Sequence, residues 1–312
     1  MVSAALLAAI AVGCFVAAAR LRRASWPYRG PYVAVIAWQA LGLAWGISTI
    51  GALLAFGLSV YGQGVFGGLL ALIGDASAHG FYLTGAAKSP FAPVQVAAIL
   101  VALGLTLVLF CGLTASFVQV VRTRRRHHDL LELVGRDDPG VPGARILDHP
   151  AAAAYCLPGV LRSEVVISAG ALKVLDEREL AAVIAHEHAH LRQRHDLVLL
   201  PFSSLKRAFP RVRIMEGYYR TVALLIEMCA DDQARRERSP KELATALMRF
   251  GANNAHTPIG ALAATSEQTE VLARVKRLLT PVRALTRAQS AAVLCGAALL
   301  MAVTVLLWHV PV

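Results

Sequence analysis

The chain has 312 residues, of which 56% are hydrophobic and only 16% are charged, against about 25% charged residues in an average soluble protein. This composition excludes an ordinary soluble domain, because the apolar residues fall into long blocks without any charge. The net charge of +11 comes mostly from arginine clusters that flank these blocks. We therefore expect a protein embedded in a lipid bilayer, with no direct nucleic-acid binding.

Four apolar blocks are long enough to cross a bilayer, whose hydrocarbon core takes about 20 residues of helix. They predict spans near residues 2–19, 33–57, 94–118 and 289–308. A shorter apolar run, Val65–Ile73, is flanked by glycines and favours a re-entrant or interfacial segment. The first three spans form a predicted membrane domain, 1–121, with an outer loop at 58–93, and the last span occupies 288–312.

Arginine clusters determine the predicted orientation, since short loops rich in Lys and Arg remain in the cytoplasm. The clusters are Arg20, Arg22, Arg23 and Arg29; Arg122, Arg124, Arg125 and Arg126; and Arg283 and Arg287. All three fall on one side, so we expect a multi-pass protein of the cell membrane with both termini outside the cytoplasm. Residues 122–144 are then a basic linker, and residues 145–287 a cytoplasmic domain.

A helix with metal-binding residues is predicted within this cytoplasmic domain. Asp176 with Glu179 three residues later is an N-terminal capping signature, and apolar residues then recur at helical spacing. Residues 186–190 read HEHAH, which matches the H-E-x-x-H pattern. His186 and His190 are four residues apart and leave the same face of the helix, so they can bind one metal ion.

Glu187 is placed beside this pair and is the predicted general base. Zinc lowers the pKa of a bound water to about 7, so that a carboxylate can take its proton near neutral pH. His188 and His195 point away from the pair, and we interpret both as surface histidines.

A second helical segment, IEMCADDQARR, carries Glu227 and Asp231 on one face. A hydrolytic zinc site needs a third protein ligand, and two histidines with one glutamate are a known set, so we predict Glu227 as the third ligand of Zn²⁺. Asp231 is predicted to fix the tautomer of a ligand histidine, and Asp232 is a weaker choice. The alternative is a solvated acidic patch without a metal.

The stretch AVIAHEHAHLRQRHD, followed by EMCADDQ, resembles the membrane metallopeptidases of the BlaR/MecR type and, more distantly, of the HtpX and CAAX-protease type. The resemblance extends to VISAGAL, before the motif helix, and to VLARVKRLL, before the last span. It implies a gluzincin: a mostly α membrane protein whose cytoplasmic α+β zincin-like metallopeptidase domain lies between the third and fourth spans. Antibiotic-sensing members carry a penicillin-binding sensor domain after the fourth span, which we do not expect here because only four residues follow Trp308.

Three short segments before the motif helix, 145–147, 154–157 and 164–168, predict a small sheet because they are rich in β-branched or aromatic residues. In the zinc proteases that this sequence resembles, an edge strand lies beside the cleft. An extended substrate can pair with that strand through main-chain hydrogen bonds. Our candidate for this substrate strand consists of Glu164, Val165, Val166, Ile167 and Ser168. A purely structural strand is the alternative.

The leading hypothesis for function is a membrane-bound zinc endopeptidase that cleaves a cytoplasmic protein. The resemblance makes a winged-helix transcriptional repressor in a signalling (antirepressor) circuit the first candidate substrate. A quality-control protease of membrane or misfolded proteins is a second hypothesis, and a non-catalytic, zinc-stabilised membrane transducer is a third. Assembly into a homo-oligomer is left open.

Overall fold

A computed structural model describes residues 1–79, 91–137, 144–157, 164–254, 261–280 and 283–310. The chain divides into two compact units, one formed by Met1–Gly112 with Leu285–Val312 and the other by Leu113–Ala284. Residues 80–90 of the predicted outer loop and residues 138–143 of the predicted linker lie outside the described residues.

The first unit is built from long apolar helices. It contains α1 (Val2–Arg23), α2 (Pro31–Gly57), the first half of α4 (Ala92–Val134) and α11 (Arg287–Leu306). All four helices are long and apolar enough to cross a bilayer, and they coincide with the four predicted spans. The shorter apolar run lies in α3 (Gly64–His79), which has 16 residues and falls short of a span.

Small residues allow these helices to pack closely. Ala55 of α2 and Ala102 of α4 are fully buried, together with Leu7 of α1. Trp308, just after α11, has its indole ring against Gly51 of α2, at a distance that leaves no room for a Cβ atom. Close backbone approach through small residues is the usual way in which helices associate within a membrane.

Helix α4 continues well beyond its apolar part. It has 43 residues, which corresponds to about 64 Å of helix, and its apolar stretch ends near Val118. The sequence assigned residues 122–144 to a linker, but the structure keeps residues 122–134 helical and adds a strand, β1 (Gly135–Asp137). Residues 113–134 contain neither glycine nor proline, so nothing in them terminates the helix.

The second unit contains a four-stranded sheet in the order β1-β2-β4-β3. Strands β2 (Ala144–Leu147), β3 (Ala154–Leu157) and β4 (Glu164–Ser168) occupy the three predicted segments. β4 pairs in parallel with β2 and antiparallel with β3, and Val165, Val166 and Ile167 are buried. The run of apolar residues in β4 is therefore that of an interior strand.

This register corrects the prediction that Glu164, Val165, Val166, Ile167 and Ser168 offer a free edge to substrate. Both edges of β4 are already hydrogen-bonded, one to β2 and the other to β3. A third strand has no main-chain groups to pair with there. Within the described residues, β3 is instead the edge strand at that end of the sheet.

Among its described residues, the second unit has six helices after the sheet: α5 (Ala169–Val174), α6 (Glu177–Arg192), α7 (His195–Ala208), α8 (Arg213–Ala234), α9 (Pro240–Asn254) and α10 (Ala261–Leu279). The predicted capping box begins α6, since Asp176 accepts from the Glu179 amide and Glu179 accepts from the Asp176 amide. Ala182 and Ala185 of α6 are buried with Ala234 of α8. These small side chains bring the two helices close together.

Candidate metal centre

Helices α6 and α8 bring the three predicted ligands together. His186 Nε2 lies 3.1 Å from His190 Nε2. On α8, Glu227 Oε2 lies 3.3 Å from His186 Nε2, and Glu227 Oε1 lies 3.5 Å from His190 Nε2. The two histidines share one helix face because they are four residues apart, and the close packing of α6 on α8 places the glutamate opposite them.

These distances fit a zinc ion. Zinc–nitrogen and zinc–oxygen bonds of about 2.0–2.2 Å in tetrahedral geometry place neighbouring ligand atoms about 3.3–3.6 Å apart. The three observed separations, 3.1, 3.3 and 3.5 Å, lie close to this range. Two imidazoles and one carboxylate suit zinc and leave the fourth tetrahedral position to water, as hydrolytic centres require.

Asp231 lies behind His186. His186 Nδ1 is 3.0 Å from Asp231 Oδ1, and the Asp231 side chain is only 1% exposed. With its proton on Nδ1, facing the carboxylate, the ring presents the Nε2 lone pair toward Glu227 and His190. Burial alone would lower the pKa of His186, but hydrogen bonds to Asp231 and Glu227 raise it to about 9. A metal ion would therefore have to displace a proton to bind here.

Arg274 of α10 balances the charges of buried Asp231 and half-buried Glu227. Its Nη2 and Nε donate to Asp231 Oδ1 and Oδ2 at 2.7 and 2.9 Å, and its Nη1 lies 2.9 Å from Glu227 Oε2. Burial would raise the pKa of Glu227, but hydrogen bonds from His186 and His190 and the charge of Arg274 hold that pKa well below its usual range. Arg274 thus binds Oε2 of Glu227, while the other oxygen, Oε1, faces His190.

His195 is not the surface residue that the sequence predicted. It is 6% exposed, its Nδ1 lies 2.9 Å from His190 Nδ1, and its Nε2 lies 2.9 Å from Gln193 Oε1. The prediction assumed an unbroken helix, in which His195 would point about 140° away from His190. The chain instead turns at Arg194, whose φ is 49°, and α7 begins by bringing His195 back against α6. His188 is exposed, as predicted.

Glu187 is half-buried beside the histidine pair. Burial raises its pKa, while the nearby His186 and His190 act in the opposite direction. A carboxylate with a raised pKa is a stronger base and is suited to accept a proton from water.

Cys156 of β3 donates a hydrogen bond to Glu187, a contact that the sequence predictions missed. Burial, together with the Glu187 charge, raises the pKa of this thiol to about 12. Cys156 and Glu187 are 31 positions apart in the chain, so only the packing of β3 against α6 could reveal the pair. The contact also shows that β3 borders the site.

Comparison with known families bears directly on this site. Residues 121–228 match the model of peptidase family M48. This M48-like region runs from the end of α4 into α8 and includes His186, Glu187, His190 and Glu227. It supports a zinc metallopeptidase of the M48 kind. Asp231 and Arg274 lie beyond the matched residues, and no curated protein or solved structure gave a significant match to the chain.

Proposed function

We propose that this protein is a membrane-bound zinc endopeptidase that cleaves a cytoplasmic protein. The observation that carries the proposal is the convergence of His186, His190 and Glu227 at zinc-ligand spacing, inside a region that matches peptidase family M48. Structural zinc sites are closed by four protein ligands, whereas hydrolytic sites use three and keep one position for water. Three protein ligands therefore favour hydrolysis over a purely structural role.

The residues around the site have different roles in peptide hydrolysis. The chemistry that zinc supplies in such centres is activation of water and polarisation of the scissile carbonyl. His186, His190 and Glu227 would hold the ion, while Asp231 and His195 orient the two imidazole rings. Glu187 accepts the proton of the attacking water and returns it to the leaving amine, as a positioned general base and then acid.

An extended substrate would lie along β3. β3 is the edge strand nearest the site, since Cys156 donates to Glu187. A peptide that pairs with the outer edge of β3 would pass beside Glu187, with its backbone held by main-chain hydrogen bonds. Such binding recognises an extended conformation and favours an endopeptidase that acts on unfolded or exposed segments.

The cytoplasmic location and the nature of the substrate rest on sequence arguments. The arginine clusters favour a cytoplasmic M48-like region and extracytoplasmic termini. The resemblance to BlaR/MecR-type proteins makes a winged-helix repressor the first substrate to test. If the protein cleaves misfolded membrane proteins but not the repressor, its function is quality control and not signalling.

The test compares zinc content and proteolysis of the wild type and Glu187→Gln in membranes, with the candidate repressor and an unfolded protein as substrates. The variant should retain its zinc, because the three ligands are unchanged, and should lose cleavage by at least about a hundred-fold. Glu177→Gln, an exposed site in the first turn of α6, is the matched control and should cleave normally. If Glu187→Gln still cleaves, the proposed peptidase mechanism is wrong. If the wild type binds zinc but cleaves neither substrate, a non-catalytic transducer is favoured.

A further inference from the structure

The turn between α7 and α8 is rich in cations and exposed apolar groups. We define the α7–α8 tip as residues 206–213, whose sequence KRAFPRVR contains four cations and no acidic residue. Phe209 is half-buried, and Val212 is 42% exposed. Cationic side chains mixed with exposed apolar ones are typical of segments that lie at a membrane surface.

Two side-chain contacts join α7 to α4. Near the start of α7, Asp196 forms an ion pair with Arg124, and near its end Arg207 donates to Gln119. Gln119 directly follows the apolar stretch of α4, whereas Arg124 lies about one and a half turns further along the helix. α7 therefore runs toward the span of α4, and the α7–α8 tip lies at the level where that span ends.

The positive charge of the tip is only partly balanced within the protein. Lys206 is paired with Glu216 at 2.7 Å. Arg211 and Arg213 are exposed, and neither has an ion-pair or hydrogen-bond partner among the described residues. Both lie at the N-terminal end of α8, where the helix dipole disfavours cations and favours anions.

From these observations we infer that the α7–α8 tip binds the headgroups of anionic phospholipids in the leaflet where α4 leaves the membrane. The tip presents guanidinium groups at the depth of lipid phosphates, and Val212 can enter the boundary between headgroups and acyl chains. Each basic residue near such a surface strengthens binding about five-fold. This inference is independent of the proposed peptidase activity, because it uses none of the residues of the metal centre.

The test measures hydrogen–deuterium exchange of the backbone amides in residues 206–213. The full chain is reconstituted into nanodiscs of phosphatidylcholine alone or of an equal mixture with phosphatidylglycerol. In the mixed lipid the wild type should exchange at least about five-fold more slowly, and high salt should remove the difference because it screens the charges. The charge-reversed double variant Arg211→Glu with Arg213→Glu should show no difference between the two lipids.

A matched control separates local binding from a general effect of net charge. Arg236→Glu with Arg238→Glu makes the same change at the opposite end of α8, about 33 Å away along the helix, where both residues are exposed. This control should keep the lipid-dependent protection of the tip, and exchange within α6 should confirm that both variants are folded. Equal exchange of the wild-type tip in the two lipids, or equal loss of protection in both double variants, would overturn the inference.

Discussion

His195 Nδ1 lies 2.9 Å from His190 Nδ1, and this contact supports His190 as Asp231 supports His186. For Nε2 of His190, which faces Glu227, to bind a metal ion, the proton of the ring must be on Nδ1, where His195 Nδ1 can accept it. His195 then carries its own proton on Nε2 and donates it to Gln193. Burial lowers the pKa of His195 to about 4, so the ring is neutral and can accept the proton of His190.

We expect His195→Phe to weaken zinc binding about 10–100-fold, the usual effect of losing an outer-shell partner. The phenyl ring fills a similar volume but accepts no hydrogen bond. His195→Asp should restore most of the affinity, because a carboxylate accepts the same proton. Competition with a chromophoric chelator measures the affinity. His188→Phe, at an exposed position of α6, should bind zinc normally, and unchanged affinity in His195→Phe would contradict the role assigned to His195.

Arg274→Gln should strongly destabilise the second unit. Arg274 is 8% exposed, and its guanidinium neutralises Asp231, which is 1% exposed, and one oxygen of Glu227. Removing one member of such a buried network leaves uncompensated charge and costs about 3–5 kcal/mol. Chemical unfolding of the purified protein in detergent, followed by the protection of α6 and α8 amides, measures the loss.

Arg277→Gln on the same helix is the control for this prediction. Arg277 forms a similar two-bond pair with Asp232, but Asp232 is 29% exposed and water can solvate it once the arginine is gone. Its free energy of unfolding should fall by much less. Equal losses in the two variants would show that Arg274 has no special role at the metal centre.

A photo-cross-linking residue at Tyr155 should capture substrate, because β3 is the edge strand that borders Glu187. The same residue at Ile146, in β2 between β1 and β4, should not. Both positions are half-buried, and they differ in access to a free edge and in the face of the sheet that they occupy. The experiment uses Glu187→Gln, so that captured substrate stays uncleaved, and substrate cross-linked only at Ile146 would exclude β3 as the binding strand.

Local spacing was sufficient to predict that His186, His190 and Glu227 lie close together. The four-residue interval between His186 and His190 determines a common helix face, and Glu227 follows from the chemistry of a third ligand. The helices of the four spans and three strands were also predicted, since each depends on a contiguous apolar or β-branched pattern.

Features that depend on distant pairing could not be predicted in this way. The position of β4 inside the sheet depends on a parallel pairing with β2, which the residues of β4 alone do not encode. Arg274 reaches Asp231 from 43 positions away. The inward turn of His195 depends on a left-handed residue, Arg194, at a position where no glycine or asparagine marked the end of the helix.

The Cys156 thiol should react slowly with iodoacetamide at pH 8, although it lies beside the candidate metal centre. An ordinary thiol, with a pKa of about 8.5, is about one quarter ionised at that pH, whereas a thiol whose pKa is raised to about 12 is almost entirely protonated. Because only the thiolate is the nucleophile, alkylation should be about a thousand-fold slower in the folded protein than in the unfolded chain. As the pH rises toward 12, the rate should increase about ten-fold per unit for as long as the fold persists. Mass spectrometry of the peptide that contains Cys156 measures the rate of alkylation. Fast alkylation at pH 8, in protein whose α6 is folded, would show that the thiol is neither buried nor hydrogen-bonded to Glu187.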